Sequence, residues 1–331
     1  MSFPRLGFLG VGWIGRARLT SISHANNSVI AVLADPDPDN LDQARIIAPE
    51  ACVASSLEEL LTHPLDGIVI STPSGMHAAQ TIAALQAGCS VFCQKPLGRR
   101  KSEVQEMIDA ARECDLLLDV DLSYRWLTGM QQIRSLIQHG ELGEIFAANL
   151  IFHNAYGPDK PWFYDRQLSG GGCVLDLGIH LVDAALWTLS TGVDRVSARV
   201  FSKGQRHDPT SLDVEDFATA RIDLASGAVA DLACSWKLHA GRPCVIEMSF
   251  HGTKGGAAIR SVDGSFTDFR TERFTSTETE ILSQPPEDWG GRAAVAWADQ
   301  LAISRKYDSA IERQLCVAQV LDAIYQRDVV T

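Results

Sequence analysis

The feature that most constrains this chain is a glycine pattern that starts ten residues in. Gly10-Val11-Gly12-Trp13-Ile14-Gly15 follows a short apolar strand, Leu6–Leu9, and opens a helical stretch over Ile14–Ser21. Alone, G-x-G-x-x-G is a weak signal, because glycine is common in turns. Its setting strengthens it: a second apolar strand, Val29–Ala34, ends at Asp35, twenty positions after Gly15. In that setting Gly10 permits a tight turn, Gly12 lets a pyrophosphate approach the backbone, and Gly15 lets helix and strand pack closely. The helix N-terminus then offers free N–H groups and partial positive charge to the phosphates. Gly10, Gly12, Trp13, Ile14 and Asp35 are therefore cofactor candidates. Asp35 suits a ribose diol, and a 2′-phosphate there would meet a like charge. No Arg, Lys or Ser follows within the next few residues, so NAD is expected over NADP. The plainer alternative is that Asp35 caps the turn Asp35-Pro36-Asp37-Pro38.

Up to about residue 122 strand and helix alternate. Further apolar strands are expected at Gly67–Ile70, Ser90–Cys93 and Leu116–Val120, with helices at Leu41–Ala48, His77–Ala87 and Ser102–Cys114. Strands that are apolar on both sides, separated by helices, specify a parallel sheet covered on both faces. After residue 122 the pattern changes. A helix over Met130–His139 precedes a strand at Ile145–His153, an aromatic loop up to Ser169 and a helix over Val174–Leu189. Alternating strands with glycine turns fill Arg195–Leu282, and helices near Ala293–Arg305 and Ser309–Arg327 close the chain. The expected division is an α/β dinucleotide-binding domain over residues 1–122 and an α+β domain with an antiparallel sheet over residues 123–331.

The bulk properties narrow the partners. The formal net charge is -12, and no Lys or Arg stripe offsets it, so nucleic acid and anionic membrane are not expected partners. No apolar run reads as a membrane span and no signal peptide precedes Leu6. The eight cysteines are scattered without a Cys-x-x-Cys pair, which fits buried reduced thiols in a cytoplasmic protein rather than a zinc site.

Three segments carry candidate chemistry. Ser71-Thr72-Pro73-Ser74-Gly75-Met76-His77 and Gln94-Lys95-Pro96-Leu97 each follow a parallel strand, at the carboxyl ends where such sheets bind ligands. The third runs from Gly170-Gly171-Gly172 through Asp176, His180 and Asp183. Their i, i+4, i+7 spacing places these three on one face of an α-helix, and no further ligand suggests a metal there.

Together these motifs resemble the Gfo/Idh/MocA oxidoreductases, the glucose-fructose oxidoreductase and inositol dehydrogenase family. Thr72-Pro73 with His77, Lys95-Pro96, Tyr124-Arg125 and the Gly171-Gly172…Asp176-x-Gly178-x-His180-x-x-Asp183 helix carry the likeness, which covers nearly the whole chain. The resemblance implies a Rossmann domain followed by an open, mostly antiparallel sheet that forms homodimers or homotetramers. It implies hydride transfer between NAD(P) and a hydroxyl carbon of a sugar, cyclitol or sugar derivative. Lys95 matches the family's catalytic lysine, and Asp176 and His180 match its substrate-site carboxylate and histidine. Ser71, Thr72, Pro73, His77, Gln94, Lys95 and Arg125 join the cofactor candidates, with Arg125 also able to face substrate. His180 suits the base, since imidazole titrates near neutral pH, and a lysine cation can stabilise developing alkoxide charge. The aromatic loop His153–Arg166 offers Tyr156, Trp162 and Tyr164 to a neutral sugar or polyol. Two departures stand out: Gln94 replaces a common Glu, and Ser123 replaces a common Asn. The family also allows a glycosidase or epimerase that oxidises transiently and recycles NAD, and a non-catalytic sugar or nucleotide sensor is the remaining reading.

Overall fold

Short apolar runs form the first sheet of the computed structural model, which describes residues 3–208 and 211–326. Its strands are β1 (Arg5–Leu9), β2 (Val29–Ala34), β3 (Cys52–Ala54), β4 (Gly67–Ile70), β5 (Ser90–Cys93) and β6 (Leu118–Val120). They lie in the order β3-β2-β1-β4-β5-β6, every pair parallel. The order reverses between β1 and β4, and a ligand crevice opens at such a switch point. The helices are α1 (Trp13–Ala25), α2 (Pro38–Ile47), the single turn α3 (Leu57–Leu60), α4 (His77–Gln86) and α5 (Lys101–Glu113). Local chemistry sets their ends. The Asp37 carboxylate accepts the Asp39 N–H at 3.0 Å with Pro38 as the first helical residue, so α2 starts there. Gly88, at φ +88°, supplies the left-handed residue after α4. β3 has no counterpart in the sequence expectations; three residues are too few to show a period.

The second sheet has nine strands: β7 (Ile145–Asn154), β8 (Val193–Ser202), β9 (Gln205–Arg206), β10 (Phe217–Leu224), β11 (Val229–Ser235), β12 (Cys244–Gly252), β13 (Gly256–Ser261), β14 (Phe269–Thr275) and β15 (Glu278–Ser283). Their order is β15-β14-β13-β12-β7-β11-β10-β8-β9. Every pair is antiparallel except β7 with β11. β10 shows why one face turns inward: Ala218, Ala220, Ile222 and Leu224 are buried while Thr219, Arg221 and Asp223 alternate with them. The helices of this unit are α6 (Thr128–Gln138), the single turn α7 (Arg166–Ser169) and α8 (Ile179–Leu189), which is almost wholly buried. Against expectation, one stretch, Arg166–Leu189, is long and apolar enough to cross a membrane; 78% of its most apolar window is buried inside the fold, as befits a core helix.

The chain divides into Met1–Ser123 with Gly290–Leu315, and Tyr124–Trp289 with Cys316–Thr331. The assignment of all residues from 123 onward to one domain is therefore corrected: residues 290–315 return to the first unit. The reason is the apolar face of α9 (Arg292–Ile303), whose Ala293, Ala294, Trp297, Ala298 and Leu301 share a core with Leu6, Phe8 and Phe92. Spacings of three and four residues mark a helix face but do not say which core it covers. Helix α10 (Arg313–Ile324) is shared between the units. Arg327, where the last helix was expected to end, lies outside the described residues. The expectation of buried cysteines is corrected at three positions: Cys52 is exposed on the edge strand β3, and Cys114 and Cys316 are only partly buried.

Trp297 is 1% exposed and its ring centroid lies 5.6 Å from that of Phe92. Trp297→Ala should cost about 3–5 kcal/mol of unfolding free energy, measured by denaturant titration. A loss below about 1 kcal/mol would detach α9 from the first core.

Candidate active site

The three glycines of the N-terminal loop do three different things. Gly10 has φ +85°, and a Cβ there would lie 2.7 Å from the Ser71 carbonyl. A Cβ on Gly15 would lie 2.1 Å from the Gly10 carbonyl oxygen, so α1 can start against the end of β1 only with glycine there. A Cβ on Gly12 would meet a single atom within 4 Å, Asn40 Nδ2 at 3.9 Å, which leaves this backbone approachable. Helix α1 has no acidic residue in its first turn, and its N-cap, Gly12, has no side chain to satisfy the free N–H groups. The Ser71 hydroxyl beside the loop is buried without a hydrogen-bond partner among the described residues. These donors fit a dinucleotide pyrophosphate. Trp13, 77% exposed, and Ile14 begin α1 at the same place.

Asp35 caps the proline turn and also reaches the glycine loop. Its Oδ2 accepts the Val11 N–H at 2.7 Å, and its Oδ1 accepts the Asp37 N–H at 2.9 Å and Asn40 Nδ2–H at 3.1 Å. The carboxylate thus braces both the glycine loop and the proline turn. A carboxylate has about four acceptor sites, so it retains capacity for a ribose hydroxyl. One neighbour of Asp35 comes from upstream. Arg16 Nη1 donates to the Val11 carbonyl and to Asn40 Oδ1, both at 2.9 Å, bringing a cation near Asp35 from α1 rather than from downstream residues.

His77 joins the other two loops. Its Nδ1 lies 2.7 Å from the Pro96 carbonyl oxygen and its Nε2 lies 2.8 Å from that of Thr72. The loop after β4 is thereby tied to the loop after β5, one residue beyond Lys95. The Thr72 hydroxyl donates to Gln80 Oε1 at 2.5 Å, and Pro73 precedes a 3-10 turn, Ser74–Met76, that leads into α4. Burial pushes the His77 imidazole below its usual pKa, while the two carbonyl contacts act in the opposite direction. The Lys95 backbone N–H donates to Gln94 Oε1 at 2.9 Å.

In the second unit the glycine run has a cause that sequence did not reveal. The buried Glu215 carboxylate accepts the Gly172 N–H through both oxygens and the Val174 N–H through Oε1, all at 2.9 Å, and the Tyr325 hydroxyl at 2.6 Å. A Cβ on Gly172 would lie 1.9 Å from the Glu215 carbonyl oxygen, and one on Gly171 would lie 2.1 Å from the Tyr325 hydroxyl. These glycines are packing requirements around a carboxylate that occupies the helix entrance.

The helix itself departs from the expected α-helical face. Val174–Gly178 is a π turn, in which the Ile179 N–H reaches the Val174 carbonyl five residues back. The extra residue in the turn shifts Asp176 from the position that regular α-helical spacing gives it relative to His180 and Asp183. Asp176 Oδ2 accepts the Trp236 indole N–H at 3.0 Å. His180 is 9% exposed, with its ring 4.8 Å from Tyr124 and 6.4 Å from Phe152. Asp183 is buried and takes two hydrogen bonds from Arg125, one from Nε at 2.8 Å and one from Nη2. That ion pair holds the Arg125 guanidinium against α8.

The aromatic loop gathers around Trp236. Tyr164 and Phe163 approach its ring edge-on at 5.6 and 6.3 Å, and Trp162 stacks on Phe163 at 3.8 Å. The Tyr164 hydroxyl donates to the Pro158 carbonyl at 3.0 Å, and Lys237 Nζ lies 4.9 Å from its ring. Tyr156 stays 60% exposed. Trp236 was missed because it lies past the end of β11, sixty residues from the carboxylate it holds. Glu215 was missed because nothing in its local sequence points to the helix entrance it meets more than forty residues earlier in the chain.

The model of the GFO/IDH/MocA oxidoreductase family, NAD-binding Rossmann fold, matches residues 4–122, and that of the GFO/IDH/MocA C-terminal domain matches residues 130–258. The chain is 30% identical to D-glucoside 3-dehydrogenase of Escherichia coli K12 over 96% of its own length and 95% of that protein's. It is 30% identical to 1,5-anhydro-D-fructose reductase of Ensifer adhaerens, covering 71% of this chain and 68% of that one. Among solved structures, levoglucosan dehydrogenase in complex with NADH and levoglucosan superimposes with a TM-score of 0.84 at 21% identity, over 98% of this chain and 97% of that one. At that identity the match speaks for the fold.

Two outcomes follow from the local geometry. A histidine whose pKa is lowered by folding costs stability as pH falls below its unfolded value, because the unfolded chain takes the proton first. The wild type should therefore lose its advantage over His77→Gln between about pH 8 and about pH 5 in unfolding titrations. A widening gap would mean that His77 is cationic in the fold. Glu215→Gln turns an amide toward N–H donors and should cost about 1–3 kcal/mol by the same measurement; an unchanged midpoint would remove Glu215 from the helix entrance.

Proposed function

Because the chain belongs to the GFO/IDH/MocA oxidoreductases, an NAD-binding Rossmann-fold family, we propose that it is an NAD-dependent dehydrogenase oxidising a hydroxyl of a sugar, cyclitol or sugar derivative. The observation that carries this reading is the near-full-length similarity to a glucoside dehydrogenase, which spans both units. The local geometry supports it. The Gly10–Gly15 loop, Ser71–Pro73 and Asp35 suit a dinucleotide.

Oxidation of a secondary alcohol removes a hydride from carbon and a proton from oxygen, and leaves a ketone. Bound NAD supplies the hydride acceptor. The proposed role of His180 is to take the hydroxyl proton. Lys95 supplies a positive charge to the oxygen as that proton leaves. Asp176 accepts a second substrate hydroxyl. Its indole hydrogen bond from Trp236 fixes the carboxylate and leaves acceptor sites for that purpose. Trp162, Tyr164 and the exposed Tyr156 offer apolar faces beside polar groups, the surface that sugar C–H and O–H groups need.

The test is a panel of glycosides, free sugars and cyclitols with NAD, following NADH and carbohydrate product together. The expected result is one ketone formed per NADH. Product without NADH accumulation would replace net oxidation by a redox-neutral glycosidase or epimerase. Lys95→Met and His180→Ala should each lower kcat by about a hundredfold or more while NAD binding changes little. Unchanged turnover in both would overturn the assignment of these residues.

A further inference from the structure

The residue before Lys95 carries an inference that rests on the role proposed for that lysine. Asp121, one residue beyond the end of β6, is fully buried. Arg18 of α1, 7% exposed, gives its Nε–H to Asp121 Oδ2 and an Nη2–H to Ser123 Oγ at 3.1 Å. The Ser123 hydroxyl donates to Asp121 Oδ1 at 2.6 Å. Gln94 completes the set. Its Nε2–H donates to Asp121 Oδ2 at 2.9 Å, while its Oε1 accepts the Lys95 N–H at 2.9 Å. Hydrogen bonds thus run without a break from a buried ion pair to the backbone of Lys95.

Charge decides what can stand at position 94. Arg18 and Asp121 balance each other, and a neutral amide preserves that balance. The amide also supplies a donor for one neighbour and an acceptor for the other. A glutamate of the same length would still accept from Lys95 but would bring a second carboxylate within hydrogen-bond distance of Asp121. Such a pair ionises fully only at a cost, and holds a shared proton to higher pH. The other titratable groups nearby are the Lys95 ammonium, the Cys93 thiol, which burial pushes up to about 12, and His77 with Glu103 beyond it.

We propose that Gln94 is a positioning residue for Lys95. It fixes the lysine's backbone to the buried Arg18–Asp121 pair and, being uncharged, keeps that anchor independent of pH. Ser123 belongs to the same anchor. Gln94 and Ser123 thus donate to the same Asp121 carboxylate, one to each oxygen.

Gln94→Glu and the double variant Gln94→Glu/Asp121→Asn test this in the full-length protein. The double variant restores one carboxylate and one amide with their positions exchanged. Thermal unfolding between about pH 6 and about pH 9 reads the anchor without any substrate. The Gln94→Glu midpoint should fall relative to wild type as pH rises, and the double variant should run parallel to wild type. The kcat/KM ratio of Gln94→Glu to wild type should fall about tenfold or more over the same range, and the double variant should restore a flat ratio. If no panel sugar turns over in wild type, the functional reading fails, and acetylation of Lys95, read by peptide mass spectrometry, takes the place of kcat/KM. Its rate relative to wild type should fall with pH in Gln94→Glu only. A flat unfolding difference for Gln94→Glu would overturn the anchor. A sloping unfolding difference with a flat Lys95 readout would overturn the positioning role.

Discussion

The first unit depends on one close approach, that of the Gly15 α-carbon to the Gly10 carbonyl. With any side chain at Gly15 the first helix would be pushed away from the end of its strand. Because the approach is allowed, the start of α1 sits at the switch point between β1 and β4, beside the Ser71–Thr72 backbone against which Gly10 packs. From there a relay of side-chain hydrogen bonds continues. His77 ties the Thr72 loop to Pro96, and Gln94 ties Lys95 to Asp121 and Arg18. The residues proposed to meet the cofactor are thus held by hydrogen bonds from buried or half-buried side chains and by a buried ion pair, which hold position better than long exposed side chains do.

Each unit has a glycine-rich helix entrance, and the two resolve the same physical problem in opposite ways. Unsatisfied N–H groups at a helix start attract negative charge. At α1 the chain provides no acidic residue in the first turn, which suits a ligand's phosphates. At the turn that carries Asp176, the protein's own Glu215 fills the role, and the Tyr325 hydroxyl completes its coordination. Similar glycine signatures therefore mark a ligand cradle in one place and a structural brace in the other. What distinguishes them is a carboxylate more than forty residues away in the chain.

Much of this was legible in the sequence, because the periods were strong. The parallel strands are continuous apolar runs, and Gly10, Gly12 and Gly15 have separate duties that their spacing foretells. The sheet of the second unit announced itself through alternation in β10 and through glycine turns. What escaped notice depends on tertiary partners. A helical period showed that α9 has an apolar face but not that Phe8 and Phe92 cover it. The spacing of Asp176, His180 and Asp183 assumed 3.6 residues per turn, and a π turn altered it. Arg125 was visible as a functional candidate, whereas its pairing with Asp183 was not. Gln94 stood out as a cofactor candidate and as a departure, whereas its bond to Asp121, twenty-seven positions on, did not.

Cofactor choice turns on what the N-terminal loop holds. Asp35 keeps its carboxylate braced at the end of β2, and Arg16 is occupied by the Val11 carbonyl and Asn40. A ribose diol meets acceptors there, and a 2′-phosphate meets a fixed negative charge. Calorimetric titration of the protein with NAD and NADP at one ionic strength tests this directly. The account predicts tighter binding of NAD by about tenfold or more, a difference of about 1.4 kcal/mol. Equal or tighter binding of NADP, or binding of neither nucleotide, would contradict it.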